Sequence, residues 1–506
     1  MFKRILLLFV LFVLSGCSGS PTLDMPAAPK PGGAGRATHP DQLTFPALEV
    51  KIPKPDRTVL ANGFTVFLME DDELPLITIK VLIRNGAVED QPGKAGTANL
   101  VARLMRTGGT TKYTAEALDE KLEFISAELS ASAYYEDMDL RFSFLSRDLD
   151  ECLDILKEVL FHPAFPEDKL AKEKERILES IRRQNDEPDD IAGREFRKLV
   201  YSNHPFGNEI HGSAETIANI TVADLKAFHK KYFTPDNMML AVVGSLPAAP
   251  AAAAQAGMKK NDMIARLNDI FKEIPLRPLT HRFPDKPLSR TFSKSVNLIN
   301  KDVNQSVIQF GHLGIERLNP DYFKIITMNA ILGGSSVSRL YDQVREQRGL
   351  AYGIGSYFTL SSDTGMFIIS TSTKNESVAQ VISIILEEIK KMQTDLVSEE
   401  ELKNTKEGTL NGFVFRFENP VRVVEQYMYI EHIGLPEDYL PTWRDNIMKV
   451  TREEVREMAR KYINIEDYKL LVVGDSAKFD KPLSEFGTVN EIKLDSPASD
   501  KEPRKP

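Results

Sequence analysis

The stretch Ile220–Gly244, ITVADLKAFHKKYFTPDNMMLAVVG, returns 230 residues later as Val450–Gly474, VTREEVREMARKYINIEDYKLLVVG. In both copies a threonine, Thr221 or Thr451, stands at a helix start, where its hydroxyl can accept a hydrogen bond from a first-turn N–H. Both helices reach a Lys-Tyr pair, Lys231-Tyr232 and Lys461-Tyr462. Each then gives way to an apolar run closing on glycine, Met239–Gly244 and Lys469–Gly474. Upstream, Pro166-Glu167-Asp168-Lys169-Leu170 is echoed 232 residues later by Ser398-Glu399-Glu400-Glu401-Leu402, and Pro188 by Pro420. Similarity at so long a fixed offset means two copies of one α/β unit rather than a solenoid. Thr65–Met69 and Ile77–Ile83 read as strands of the first copy.

The copies are expected over residues 57–247 and 293–480. A linker, 248–292, joins them and includes the Ala-rich run Ala248–Ala254. A polar tail, 481–506, follows. The N-terminus reads as a signal segment: Lys3 and Arg4 precede the apolar run Ile5–Leu14, which is too short to span a bilayer. It ends in Leu14-Ser15-Gly16-Cys17, which resembles a bacterial lipobox and implies cleavage before Cys17 and acylation of that cysteine. Residues 18–56, rich in Pro, Ala, Gly and Ser, read as a flexible tether. The expected address is the cell envelope, lipid-anchored on the periplasmic face of the outer membrane, because Ser18 rather than Asp follows the cysteine. The other cysteine, Cys152, lies in an amphipathic run and reads as a core thiol. A net charge of -9 with no basic stripe argues against a nucleic-acid partner.

Further motifs then fall into place: Arg84-Asn85-Gly86-Ala87 leading to Gly96, Gly108-Gly109-Thr110, His162-Pro163-Ala164-Phe165, Tyr232–Met238 and Arg345–Tyr352. In this order they resemble the pitrilysin, insulinase and mitochondrial-processing-peptidase family. The resemblance covers about residues 57 to 480. It implies an α/β (α+β) fold of two homologous halves, each a mostly antiparallel sheet packed with helices, facing each other as a clamshell around an extended peptide.

Catalytic members of that family carry His-x-x-Glu-His on a first-half helix. Residues at i and i+4 share one face, so two imidazoles can hold one zinc, and the glutamate can deprotonate a bound water. Aligned on Gly96-Thr97-Ala98, this chain has Asn99-Leu100-Val101-Ala102-Arg103. An amide, a methyl and a guanidinium replace both imidazoles and the base. No His-x-x-Glu-His or His-Glu-x-x-His occurs in the 506 residues. Family spacing points to Glu179 as the surviving third-ligand position. Two arrangements are open for it: an ion pair with Arg103, or solvation on a charged helix that includes Glu173, Glu175 and Arg176.

In the second half, Arg345 and Tyr352 match an arginine and tyrosine that, in the family, reach the active site from across the clamshell. A cation and a phenol suit the stabilisation of developing negative charge. The alternatives are a helix salt bridge for Arg345 and core packing for Tyr352. The resemblance places a peptide-binding edge strand near Glu128–Tyr135, with Ser130 where asparagine is frequent. Such pairing uses mainly backbone, although a plain sheet edge remains open as well.

Two readings follow. In the first, the chain is the non-catalytic, substrate-binding subunit of a two-chain zinc metallopeptidase. It binds no metal itself, and a homologous partner bearing His-x-x-Glu-His holds the zinc. In the second, it is a peptide-binding or scaffold protein of the cell envelope without peptidase activity. No Ser/His/Asp or Cys/His constellation with supporting local sequence points to a different chemistry.

Overall fold

Leu240 and Val242 face one hydrophobic core, while Met239, Ala241 and Val243, their neighbours on the same strand, face another. That partition organises the molecule. The structure, a computed structural model, describes residues 52–246, 258–274 and 293–494. Cys17, the signal segment, nearly all of the tether, the Ala-rich run and the end of the tail lie outside the described residues.

The first sheet comprises β1 (Asp56–Val59), β2 (Thr65–Glu70), β3 (Leu76–Ile83), β4 (Glu128–Ala133), β5 (Met138–Leu145) and β6 (Met238–Gly244), in spatial order β1-β2-β6-β3-β5-β4. The second half contributes β7 (Ser295–Asn300), β8 (Gln305–Leu313), β9 (Ile315–Glu316), β10 (Ala351–Phe358), β11 (Leu360–Ser361), β12 (Met366–Lys374), β13 (Lys469–Gly474) and β14 (Val489–Glu491). Its large sheet runs β10-β12-β8-β13-β7-β14, and β9 pairs with β11. Counted from the β1 and β14 edges, the two sheets repeat one another from the second strand onward, whereas the outermost pair is antiparallel in the first and parallel in the second. β6 and β13 each lie third, parallel to the strand behind (β2, β7) and antiparallel to the strand ahead (β3, β8). The expected α/β architecture of two homologous, mainly antiparallel halves is present.

The predicted helix starts are capped as the threonines suggest. The Asp224 amide donates to Thr221 Oγ1 at 3.3 Å, and the Thr221 amide returns a bond to Asp224 Oδ2 at 2.7 Å. Thr451 and Glu454 make the same reciprocal pair at 3.2 and 2.9 Å. Each helix of this repeat leads to a strand that is apolar without alternation, which means burial on both faces. In β13, Leu470 and Val472 face the second-half core, while Leu471 and Val473 face away from it.

The second face of each sheet is covered by a helix of the opposite half. Helix Pro188–Tyr201 sets Ile191, Phe196 and Val200 against Val307, Met366, Ile368 and β13. Helix Pro420–Ile433 sets Val424 and Met428 against Phe67, Met239, Ala241 and Val243 of the first sheet. Both begin with proline at the first turn, where no N–H is needed, and they are the repeat-equivalent helices signalled by Pro188 and Pro420. Polar contacts follow the same exchange. His204, just past the first of these helices, lies 3.9 Å from Asp363 of the second half. His432, near the end of the other, lies 3.4 Å from Asp137 of the first half. Glu136, almost fully buried, pairs with Arg317 and accepts the Ser362 amide at 2.8 Å.

Three expected boundaries move. β1 begins at Asp56, inside the stretch read as tether. Helix Met258–Phe271 lies inside the stretch read as linker, burying Met263, Leu267 and Phe271 in the first-half core. Those three residues share one helical face, a short apolar stripe beside the dominant alanine run. β14 lies inside the stretch read as tail and pairs with β7.

Candidate functional site

The zinc-motif positions lie on helix Thr97–Thr107, whose N-terminus is held by a residue upstream. Asp90 accepts the Gly96 amide at 2.7 Å and the Ala98 amide at 2.9 Å. Burial pushes its carboxyl up to about 7, with the backbone N–H bonds pulling the other way. Gly96 has φ 105°, and a Cβ there would lie 2.6 Å from Ile217 Cδ1, so the tight approach requires glycine. Asp90 carries no local capping signature, being six residues ahead of Gly96.

Along the helix, Asn99 is half-buried, Ala102 is packed in the core and Arg103 is 43 % exposed at its side chain. Arg103 does not pair with Glu179. Its Nε donates to Oε2 of Glu173 at 2.8 Å, and Arg176 donates to the other carboxylate oxygen at 2.7 Å. Glu179 is half exposed and pairs with Arg182 at 3.2 Å and Arg183 at 3.6 Å. Of the two open arrangements the solvated one is present, and helical phase explains it. On helix Glu167–Arg183 the buried stripe is Leu170, Glu173 and Ile177. Glu179 stands two residues past that stripe, turned to solvent. A carboxylate as buried as Glu173 needs cationic partners, and two guanidinia supply them. The family's zinc does not fit these residues: position 103 brings positive charge, and Asn99 and Ala102 offer neither an imidazole nor a base.

The expected peptide edge is β4, which among the described residues pairs only with β5. Leu129 and Ala133 face the core, whereas Ser130 and Ser132 face outward. One outward carbonyl is already engaged, because Arg106 Nε donates to Leu129 O at 2.9 Å.

Arg345 and Tyr352 are brought together. Arg345 lies on a single π-helical turn, Asp342–Glu346, an irregularity frequent at functional sites. Gly349, at φ 59°, turns the chain into β10, an edge strand. Arg345 Nη1 donates to the Tyr352 carbonyl oxygen at 2.7 Å, and its guanidinium lies 4.6 Å from the centre of the Tyr352 ring and 5.0 Å from that of Tyr341. Tyr352 is 87 % exposed, so it is not a core residue. Among the described residues, no hydrogen bond or ion pair links Arg345 or Tyr352 to helix Thr97–Thr107.

A cavity of about 620 Å³ lies between the halves. Helix Pro188–Tyr201 and Tyr135 line one side, and Gln309, Tyr357 and Met366 of β8, β10 and β12 line the other. Of its lining, the sequence pointed to Tyr135, at the end of the expected peptide edge, and not to the arginines.

Comparison with known proteins bears on this arrangement. The family profile described as Insulinase (Peptidase family M16) matches residues 65–214, and that described as Peptidase M16 inactive domain matches residues 219–409. The chain belongs to the M16 peptidase family. A Bacillus subtilis protein named uncharacterized zinc protease YmxG is 26% identical over 420 residues, covering 83% of this chain and 98% of the relative. A Helicobacter pylori protein named non-peptidase homolog YmxG is 27% identical, covering 82% and 92%. A crystal structure described as the peptidase M16 inactive domain from Pseudomonas fluorescens superposes with a TM-score of 0.75 at 25% identity, over 85% of this chain and 100% of that one. Relatives of similar distance thus bear both protease and non-peptidase names. The inactive-domain and non-peptidase descriptions support a non-catalytic member of the M16 family.

Proposed function

We propose that the chain is the non-catalytic, substrate-binding subunit of a two-chain zinc metallopeptidase, presenting Arg345 and Tyr352 to the zinc site of a homologous partner that carries His-x-x-Glu-His. The observation that supports this reading is the exposure of Tyr352 on an edge strand, with the Arg345 guanidinium fastened to its carbonyl. A large aromatic side chain left in solvent beside a pinned cation contributes little to folding and is suited to contacts outside the chain. The bound material is an extended peptide. The lipobox ending in Cys17 supports anchoring to the periplasmic face of the outer membrane.

The test mixes the purified chain with the partner and assays cleavage of a reporter peptide. Neither the chain alone nor its Arg345→Ala form cleaves. The wild-type chain raises the partner's rate, and Arg345→Ala or Tyr352→Phe lowers that gain by roughly tenfold or more. An unchanged gain with both variants would falsify the role. The alternative, a peptide-binding or scaffold protein of the envelope without peptidase activity, is favoured by one observation: Arg345 is already satisfied within its own half. On that reading no partner confers cleavage, and peptide still binds.

A further inference from the structure

Three arginines line the cavity between the halves: Arg183, Arg194 and Arg197. Two are engaged. Arg183 faces Glu179 at 3.6 Å. Arg194 is buried and donates to Glu195, to the Gln184 carbonyl and to Asn185. Arg197 differs. Its guanidinium lies 4.5 Å from the centre of the Tyr135 ring and 6.0 Å from that of Tyr201, and among the described residues it makes no ion pair and no hydrogen bond.

The aromatic rings around it are fixed by their own hydroxyls. Tyr135 donates to the Asn208 carbonyl at 3.0 Å, and Tyr201 donates to the Thr364 carbonyl at 3.1 Å. Tyr357, 46 % exposed on β10, lines the same cavity; burial pushes its phenol up, and the nearby Arg197 opposes that push in part. Four carboxylates line the same cavity, Asp186, Glu187, Asp190 and Glu209, and among the described residues none of them pairs with Arg197. Asp190 is in the first turn of helix Pro188–Tyr201, where negative charge complements the helix dipole. It lies about 10 Å along the axis from Arg197. Glu209 faces His211 at 3.9 Å.

We propose that Arg197 is a receptor for a carboxylate carried by the bound peptide, either an acidic side chain or a free C-terminus. Stacking on Tyr135 and Tyr201 uses the faces of the guanidinium and leaves its N–H edges for a planar, two-pronged acceptor. Tyr135 follows the first-half edge strand β4 and Tyr357 lies on the second-half edge strand β10, so the ends of both edges meet at this cation. The apolar walls from Phe196 and Met366 favour an apolar residue beside the carboxylate. The proposal deepens the peptide-binding reading above and rests on it.

The experiment measures fluorescence anisotropy of the full chain with three fluorescein-labelled twelve-residue peptides of Ala, Val and Ser. One is amidated with a central Glu, one is amidated with a central Gln, and one has the central Gln and a free C-terminus. The expected result is that a carboxylate-bearing peptide binds roughly tenfold tighter than the neutral one. Which peptide gains identifies the source of the carboxylate. Arg197→Met abolishes the difference and Arg197→Lys keeps part of it, both at an unchanged thermal midpoint. Equal binding of all three peptides, or discrimination that survives Arg197→Met, overturns the assignment while leaving the peptide-binding reading in place. No binding by any of the three removes both.

Discussion

Arg103 Nε sits 2.8 Å from Oε2 of Glu173, a cation of one helix meeting a buried carboxylate of another. Because Arg176 shares the same carboxylate, removing one guanidinium leaves the charge partly compensated. Arg103→Met is expected to cost about 1–2 kcal/mol, and Glu179→Gln less than about 0.5 kcal/mol. Urea midpoints of the two variants check the order.

The same geometry predicts where a metal would go if the imidazoles returned. Asn99→His with Arg103→His places two nitrogens four residues apart on one helical face, next to the carboxylate that Arg103 now holds. This double variant is expected to bind zinc in a way that Glu173→Gln weakens by tenfold or more and Glu179→Gln does not. Equilibrium dialysis with zinc alone measures it.

Asp90 makes stability depend on pH with a defined sign. Its carboxyl stands at about 7 in the folded chain, against about 3.9 when unfolded. The folded state therefore holds the proton more tightly. The stabilisation is fully present below about pH 4 and is lost as pH rises through 7. Between pH 5 and 8 the wild type is expected to lose up to about 3 kcal/mol that Asp90→Asn does not lose. Denaturant titrations of both proteins at the two pH values test this.

Arg106 holds the Leu129 carbonyl at the β4 edge. Arg106→Ala is expected to speed amide hydrogen exchange in Glu128–Ala133 while leaving β5 protected, since only the outer side of the strand loses a partner.

Phe196 reaches from the first half into the core beneath the second sheet. Phe196→Ala is expected to cost about 3–5 kcal/mol. Its urea transition should still be single, because the lesion lies in a core that both halves share.

The repeat could be read from the sequence because its two copies keep the same caps and the same strand runs. Thr221 and Thr451 cap as their chemistry requires, and β6 and β13 occupy equivalent places. Apolar runs without alternation also announce two covered faces. They do not say which helix covers the second face, since that depends on contacts more than a hundred residues apart. The site was partly legible. The absence of zinc donors at Asn99, Ala102 and Arg103 is a statement about residue types and needs no coordinates. Choosing Glu173 over Glu179 needs the phase of helix Glu167–Arg183 against its neighbour, and spacing alone does not carry phase. Arg197 was invisible because its significance lies in stacking on aromatic rings while pairing with no carboxylate among the described residues, which is a property of neighbours distant in sequence.

The reciprocal placement of helices Pro188–Tyr201 and Pro420–Ile433 changes what opening means for this molecule. Each half wears the other's helix as its inner lining, so swinging the shells apart would strip both linings together and wet two apolar floors in one motion. On the peptide-binding reading, a guest would enter sideways, along the free margins of the sheets, with the two shells still latched.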